Sequence, residues 1–329
     1  MTHYLYGTIL TAQAVAANNR GDNLGNTTTL QKVFVDDDIH TTVSAEAIRF
    51  ALRYRFQLQG LPVNRSYDGA AGKLSYSDEK RTKWNPGNPS QVLIDDDVMG
   101  FMDAAAAKVE QEDEEDDNSE AGSEAIVSTA RKPKAKGKTT KRPSPLSIGR
   151  AVSLRPYRGE ISFNAVSGEK EKGKLSLYSA EMHTTEYQYS FGLNLGDVIH
   201  KPHIRHVIDA LFDPPAVAGN HARFAYDFSP SSVVLRVTNA HSSRIQNCFS
   251  HDERTHGYSL EKLVRRVESG DVPASEVLVG GDAASSNEGK KLADLKCFVS
   301  QGVDAAAAEA RRRIASRDEA FASIGPGGS

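Results

Sequence analysis

An α+β fold follows from three features of this 329-residue sequence. Segments with the two-residue alternation of strands mix with amphipathic helical segments, without regular β-α-β spacing. Polar turns rich in Gly, Asp and Ser punctuate the chain and imply frequent hairpins. The succession strand, helix, strands, helix, strand is that of a ferredoxin-like core. A hydrophobic content of 39% supports a sizeable interior.

Tyr4–Thr11 reads as the first strand, followed by the Asn- and Gly-rich loop Asn18–Asn26 with one positive charge, Arg20. The backbone N–H groups of such a loop suit an anion; an ordinary turn-rich connection is the other reading. Leu30–Val35 is extended, and Asp36-Asp37-Asp38 reads as a hairpin tip. Ser44 then caps a helix, since its hydroxyl accepts from an orphan backbone N–H, and Glu46 suits the positive helix end. Ala45, Ile48, Leu52 and Phe56 share the face turned to a sheet. Arg49 and Arg53, four apart, project together from another face. That face suits a phosphate chain or is simply solvated.

Residues 59–102 interleave basic and aromatic side chains: Arg65, Tyr67, Lys73, Tyr76, Arg81, Trp84. The pattern suits stacking on bases with phosphate contacts, or a satellite subdomain with half-buried tyrosines. Asp95-Asp96-Asp97 is expected to cap a helix beginning near Val98. From 103 to 141 the chain is a charged, low-complexity linker, with nine acids in 110–124 and seven bases in 131–142. Such composition cannot form a core. Leu146–Leu154 reads as a strand. Glu160–Val166 and Lys174–Tyr178 flank the polar tip 167–173, and His183–Leu195 is one long strand with Thr185, Tyr187, Tyr189, Phe191 and Leu193 on one parity. His200–Phe212 is a helix stopped by Pro214-Pro215. Arg223–Phe228 and Val233–Thr238 form a hairpin. Leu260–Val267 is a short helix, Val277–Val279 a strand turned by Gly280-Gly281-Asp282, and Ala305–Ser316 the last helix.

Several function classes lose support. No phosphate-loop motif or nucleophile elbow is present. Asp36-Asp37-Asp38 and Asp95-Asp96-Asp97 are the best carboxylates for magnesium, but neighbours on an extended chain point to opposite faces. His200, His203 and His206 lack an accompanying carboxylate or cysteine motif and read as polar positions on a helix rim. No catalytic residue, metal or cofactor is therefore expected. Cys248 and Cys297 lack paired spacing and suit a reducing compartment. No secretory signal and no membrane span is read, so a cytoplasmic protein is expected. The net charge is −3, and outside the two charged runs 33 bases face 34 acids. An RNA groove must then come from local clustering rather than overall basicity.

The order of several words resembles the DevR-type autoregulator family of CRISPR-associated proteins. They are Thr11-Ala12-Gln13 leading to Asn18-Asn19-Arg20-Gly21, Ser44-Ala45-Glu46-Ala47-Ile48-Arg49, and Asp95 to Met102. Arg142-Pro143-Ser144-Pro145-Leu146, Leu177 to His183, Gly219 to Arg223, and Gly270-Asp271 near Gly280-Gly281 complete the set. The likeness fades after Gly281 and is absent from 103–141. It implies the repeated backbone subunit of type I, I-B-like Cascade: a modified RNA-recognition-motif palm with a fingers insertion and a thumb hairpin. On that reading 1–58 begins the palm, 59–102 is the fingers, 103–145 the linker, 146–281 the rest of the palm with the thumb, and 282–329 a C-terminal helix and tail. The resemblance implies RNA contacts by Asn18, Asn19, Arg20, Gly21, Ser44, Ala45, Arg49 and Arg53, with Arg142 and His183 as further positions. Implied partners are crRNA, target DNA, other copies in a head-to-tail filament, and the large, small and guide-processing Cascade subunits. The alternatives are a metal-dependent ribonuclease using Asp22 or an aspartate triplet, and a transcriptional autoregulator.

Overall fold

A computed structural model describes residues 3–17, 23–25, 27–102, 141–165, 177–217, 226–253 and 257–325. Among them the fold is α+β, built on a nine-stranded sheet. Its strands are β1 (Tyr4–Thr11), β2 (Lys32–Val35), β3 (Asp38–Val43), β4 (Leu146–Ile148), β5 (Ala151–Ser153), β6 (Tyr187–Asn194), β7 (Pro230–Thr238), β8 (Val277–Gly281) and β9 (Phe298–Ser300). They run in the order β9-β8-β7-β1-β6-β5-β3-β2, with β4 also paired to β6. The helices are α1 (Ala45–Leu58), α2 (Ile94–Met99), α3 (His203–Phe212), α4 (Glu261–Glu268), α5 (Asn287–Asp294) and α6 (Val303–Ala315).

Four inner strands, β7-β1-β6-β5, are mutually antiparallel. Helix α1 lies in sequence between β1 and β5, and α3 joins β6 to β7. Alternation along β1 divides the core. Leu5 and Ile9 face α1, α3 and α6, whereas Leu10 faces the cluster that includes Leu263 of α4 and Leu292 of α5. Helix α1 starts where its sequence directs it: the Ser44 hydroxyl accepts from the Ala47 N–H at 3.2 Å. It buries Ile48, Ala51, Leu52 and Phe56. Gly280 lets the last helix approach the sheet, because a Cβ there would lie 2.7 Å from Ala306 Cβ.

A second sheet pairs Leu177–Thr185 with Glu160–Ala165 and with Ala14–Ala17, both antiparallel. The strand expected over His183–Leu195 is therefore two strands in two sheets. The break is at Glu186, whose carboxylate accepts from the Arg155 guanidinium at 2.9 and 3.0 Å. There the Tyr187 N–H donates to the Thr11 hydroxyl at 2.9 Å instead of continuing a ladder. Leu146–Leu154 is likewise two strands: pairing moves from Ile148↔Phe191 to Val152↔Gln188, a slip of one residue. Of the strand expected over Arg223–Phe228 as the partner of β7, residues 223–225 lie outside the described residues. Tyr226 and Phe228 are irregular and set their rings 5.5 and 5.8 Å from that of Tyr187, while β7 pairs with β1 and β8. Helix α2 begins at Ile94, so Asp95-Asp96-Asp97 forms its first turn rather than its cap. Lys141–Arg142 pairs with Phe101–Met102, so regular structure resumes at Lys141. The linker 103–140 and the hairpin tip 167–173 lie outside the described residues.

Candidate nucleic-acid interface

Between α1 and the hairpin Arg65–Asp68/Lys73–Tyr76 lies a cleft of about 270 Å³. The hairpin is tied to the helix by one amide. Gln57 Nε2 donates to the Tyr67 carbonyl at 2.9 Å, and Gln57 Oε1 accepts from the Tyr67 N–H at 2.7 Å. Phe50 and Tyr54, four apart on α1, stand edge-on to the Tyr67 ring at 5.2 and 5.9 Å. These rings form the aromatic side of the cleft.

Arg49, Arg53 and Arg65 form its basic side, with Glu46 as the acid lining it. Arg49 is aimed by carbonyls: it donates to Leu146 O at 3.0 Å and Met99 O at 2.6 Å. Arg53 pairs with Asp95 at 3.5 Å. The Arg65 guanidinium lies 5.7 Å from the centre of the Tyr76 ring, with no carboxylate paired to it among the described residues. Burial lowers the pKa of Arg49 and of Arg53; Glu46 and Asp95 respectively oppose this, and Arg65 adds repulsion to both. Guanidinium groups nevertheless keep their charge in proteins. The cleft thus gathers three cations around an incompletely neutralised space beside π-faces.

Behind it, α2 is a hub of three buried carboxylates: Asp95 and Asp96 converge on Asn64, while Asp97 turns to Arg142 and the start of α3. Asp95 accepts from the Asn64 and Arg65 backbone N–H groups at 2.7 and 3.0 Å, besides pairing with Arg53. Asp96 accepts from Asn64 Nδ2 at 2.6 Å and faces Arg81 at 3.6 Å. Burial and the neighbouring Asp95 push its pKa up. Asp97 uses both oxygens: Oδ1 accepts from Ile199 N and Arg142, Oδ2 from His200 N and His203 Nδ1, all within 2.5–3.1 Å. Burial raises the Asp97 carboxyl, but the bonds from His203, Ile199 and His200 outweigh it and hold the group below the usual range. Among the described residues no group of three His, Cys, Asp or Glu is placed to hold a metal ion. Asp36 and Asp37 make the β2–β3 turn, as the sequence implies.

Of the residues singled out from sequence, Arg49 and Arg53 converge on the cleft. Ser44 and Ala45 stand at the start of α1, with the Ser44 side chain engaged as its cap. Asn18, Asn19, Arg20 and Gly21 lie outside the described residues. Arg142 and His183 do not line the cleft, and each is engaged within the protein. Arg142 is held by Asp97 at 2.5 Å and by the Asp197 carbonyl at 2.8 Å, over the Trp84 ring at 5.3 Å. His183 is 4% exposed, with Nδ1 against the Thr41 hydroxyl at 2.8 Å. The sequence did not reveal the pairing of Phe50 and Tyr54 with the hairpin, although their four-residue spacing beside Arg49 and Arg53 carried the signal.

A family model described as "CRISPR-associated negative auto-regulator DevR/Csa2" matches residues 7–258. A protein of Myxococcus xanthus (strain DK1622), "CRISPR-associated protein Cas7/Cst2/DevR", is 38% identical over 287 residues, spanning 85% of this chain and 87% of that protein. A chain of a solved "CRISPR RNA-guided surveillance complex" shares the fold with a TM-score of 0.51 at 12% identity, over 94% of this chain and 99% of its own. A second, from a "CRISPR RNA-guided surveillance complex, pre-nicking", does so with a TM-score of 0.53 at 14% identity, over 93% and 100%.

Proposed function

The chain belongs to the DevR/Csa2 family of CRISPR-associated proteins, and we propose that it is a non-catalytic, crRNA-binding backbone subunit of a type I Cascade. The observation that carries this reading is the convergence of Arg49, Arg53 and Arg65 on one cleft of an otherwise acidic chain. Guanidinium groups grip phosphates bidentately and without regard to base identity. Any spacer is then accepted, and its bases are left to read target DNA by pairing.

The order β7-β1-β6-β5 with α1 and α3 supports an RNA-recognition-motif palm. The inserted segment 59–102 would serve as the fingers. The strands Glu160–Ala165 and Leu177–Thr185, which expose Phe163 at 83% and Ile161 at 53%, would form the stem of the thumb. Successive copies, the remaining Cascade subunits and target DNA would be the partners. The aspartate triplets give the ribonuclease alternative no support: one is a turn, and the carboxylates of the other are engaged within the protein; Asp22 lies outside the described residues.

The test is an affinity series. Labelled RNAs with unrelated spacers should bind the purified protein equally well, with log affinity falling linearly against log salt. A strong preference for one spacer, or an affinity indifferent to salt, would reject the backbone-gripping role.

A further inference from the structure

We infer that the cleft between α1 and the inserted hairpin is a subsite for one unpaired nucleotide of single-stranded RNA, with phosphate among Arg49, Arg53 and Arg65 and the base against the aromatic side. This rests on the RNA-binding reading and makes it specific: the grip comes as much from the insertion as from the helix. Two chemistries meet here that only a ligand with both an anion and a π-face satisfies. Three guanidinium groups face a single lining carboxylate, Glu46. Beside them Phe50 and Leu74 remain 37% and 48% exposed. Arg53 is offset by Asp95 behind the cleft, but Arg65 has no paired carboxylate among the described residues; apolar surface next to such incompletely neutralised cations is poorly used by water alone, but suits a base stacked beside its own phosphate.

The site is also built in advance. Arg49 is fixed by the Leu146 and Met99 carbonyls, and Arg53 is oriented by buried Asp95. Asp95 also binds the Asn64 and Arg65 N–H groups, so one carboxylate sets both the helix and the hairpin sides of the cleft. The volume of about 270 Å³ lies just below the usual range of small-ligand sites, roughly 300–1,000 Å³. That size suits a ligand of about one nucleotide. A competing occupant is the β2–β3 tip of a second copy, which carries Asp36-Asp37-Asp38 beside Phe34, 78% exposed.

The test uses the full chain and a labelled 12-nucleotide RNA of mixed sequence, with Arg65→Ala and Tyr67→Leu as variants. Neither disturbs the tether, because Gln57 binds the Tyr67 backbone; a melting curve confirms folding. Tyr67→Leu should weaken binding about fivefold or more with an unchanged salt slope. Arg65→Ala should reduce the slope by about one. Photo-crosslinking of 5-iodouridine RNA should label the peptides carrying Tyr54 or Tyr67. Absence of RNA binding by the unaltered chain would reject the RNA reading and this subsite together. Normal affinities for both variants, with crosslinks elsewhere, would overturn the subsite alone. So would loss of self-association in Arg65→Ala and in Phe34→Ser at unchanged RNA affinity, which would assign the cleft to a second copy.

Discussion

Burial keeps His183 neutral. Desolvation pulls its pKa down to about 4, aided by His40 and Arg155 and opposed by the Pro156 backbone and Glu186. An unfolded histidine titrates near 6.5. Between those values the unfolded chain binds a proton that the native chain refuses, so stability falls as pH drops from about 6.5 to about 4. The full effect is on the order of 3 kcal/mol. Melting temperature should therefore decline from pH 7.5 to pH 5. In His183→Asn, whose amide still reaches the Thr41 hydroxyl, the decline should be shallower; an unchanged slope would assign it to other groups. The family resemblance implies an RNA contact for this residue because it closes a family word. Its burial arises from Thr41 and Tyr157, which lie far away in the chain and carry no local signal.

At the scale of elements, α2 does more than its six residues suggest. All three of its aspartates are at most 4% exposed, and together they join α1, the insertion, the Arg142 segment and the start of α3. Asp97→Asn has the same shape but sets an amide NH2 against donors and leaves Arg142 without its counter-charge. Breaking a buried pair in this way costs about 3–5 kcal/mol. Asp37→Asn, at the exposed β2–β3 turn, should stay within about 0.5 kcal/mol. Denaturant midpoints of the two variants check the contrast, and equal values would remove α2 from its role as a hub. Identical words thus fold in opposite ways. The flanking Leu93, Ile94, Val98 and Met99 were the available clue to a buried helix, but treating the triplet as extended hid it. Helical spacing did place Arg49 and Arg53 on one face of α1. It gave no sign that the face meets Met99, Leu146 and Asp95, since those neighbours come from 42 to 97 residues further along. Gly100 shows the same dependence on distant chain: at φ 67° and ψ 176° it adopts a conformation open essentially to glycine, and a Cβ would lie 2.4 Å from the Arg142 carbonyl.

For the whole molecule, the α+β class was legible because periodicity and turns are local properties, whereas the spatial order of the strands rests on pairings between distant segments. The two-sheet division was not legible either, because it depends on how Glu186 and Thr11 redirect distant strands. The charged segment 103–140 interrupts this body at one well-defined place. Met102 pairs with Lys141 and Phe101 with Arg142, antiparallel, so the segment enters and leaves through adjacent residues. Both sides of that entry are anchored: Phe101 stands edge-on to Trp84 at 5.1 Å, and Arg142 is paired with Asp97. Replacing 103–140 by Asn-Gly, which favours a two-residue hairpin, should therefore preserve the fold. Shortening the loop from 38 residues to two is about four halvings. Each relieves roughly 0.6 kcal/mol of closure entropy, so melting temperature should hold or rise. The segment carries ten acids and six bases, and its removal takes the chain from −3 to +1. RNA affinity at low salt should then be equal or higher, since repulsion from phosphate falls. A truncated chain that does not fold would make the segment structural. One that folds but binds RNA more weakly would show that the bases at 131–138 contribute to the grip, outweighing the acids that precede them.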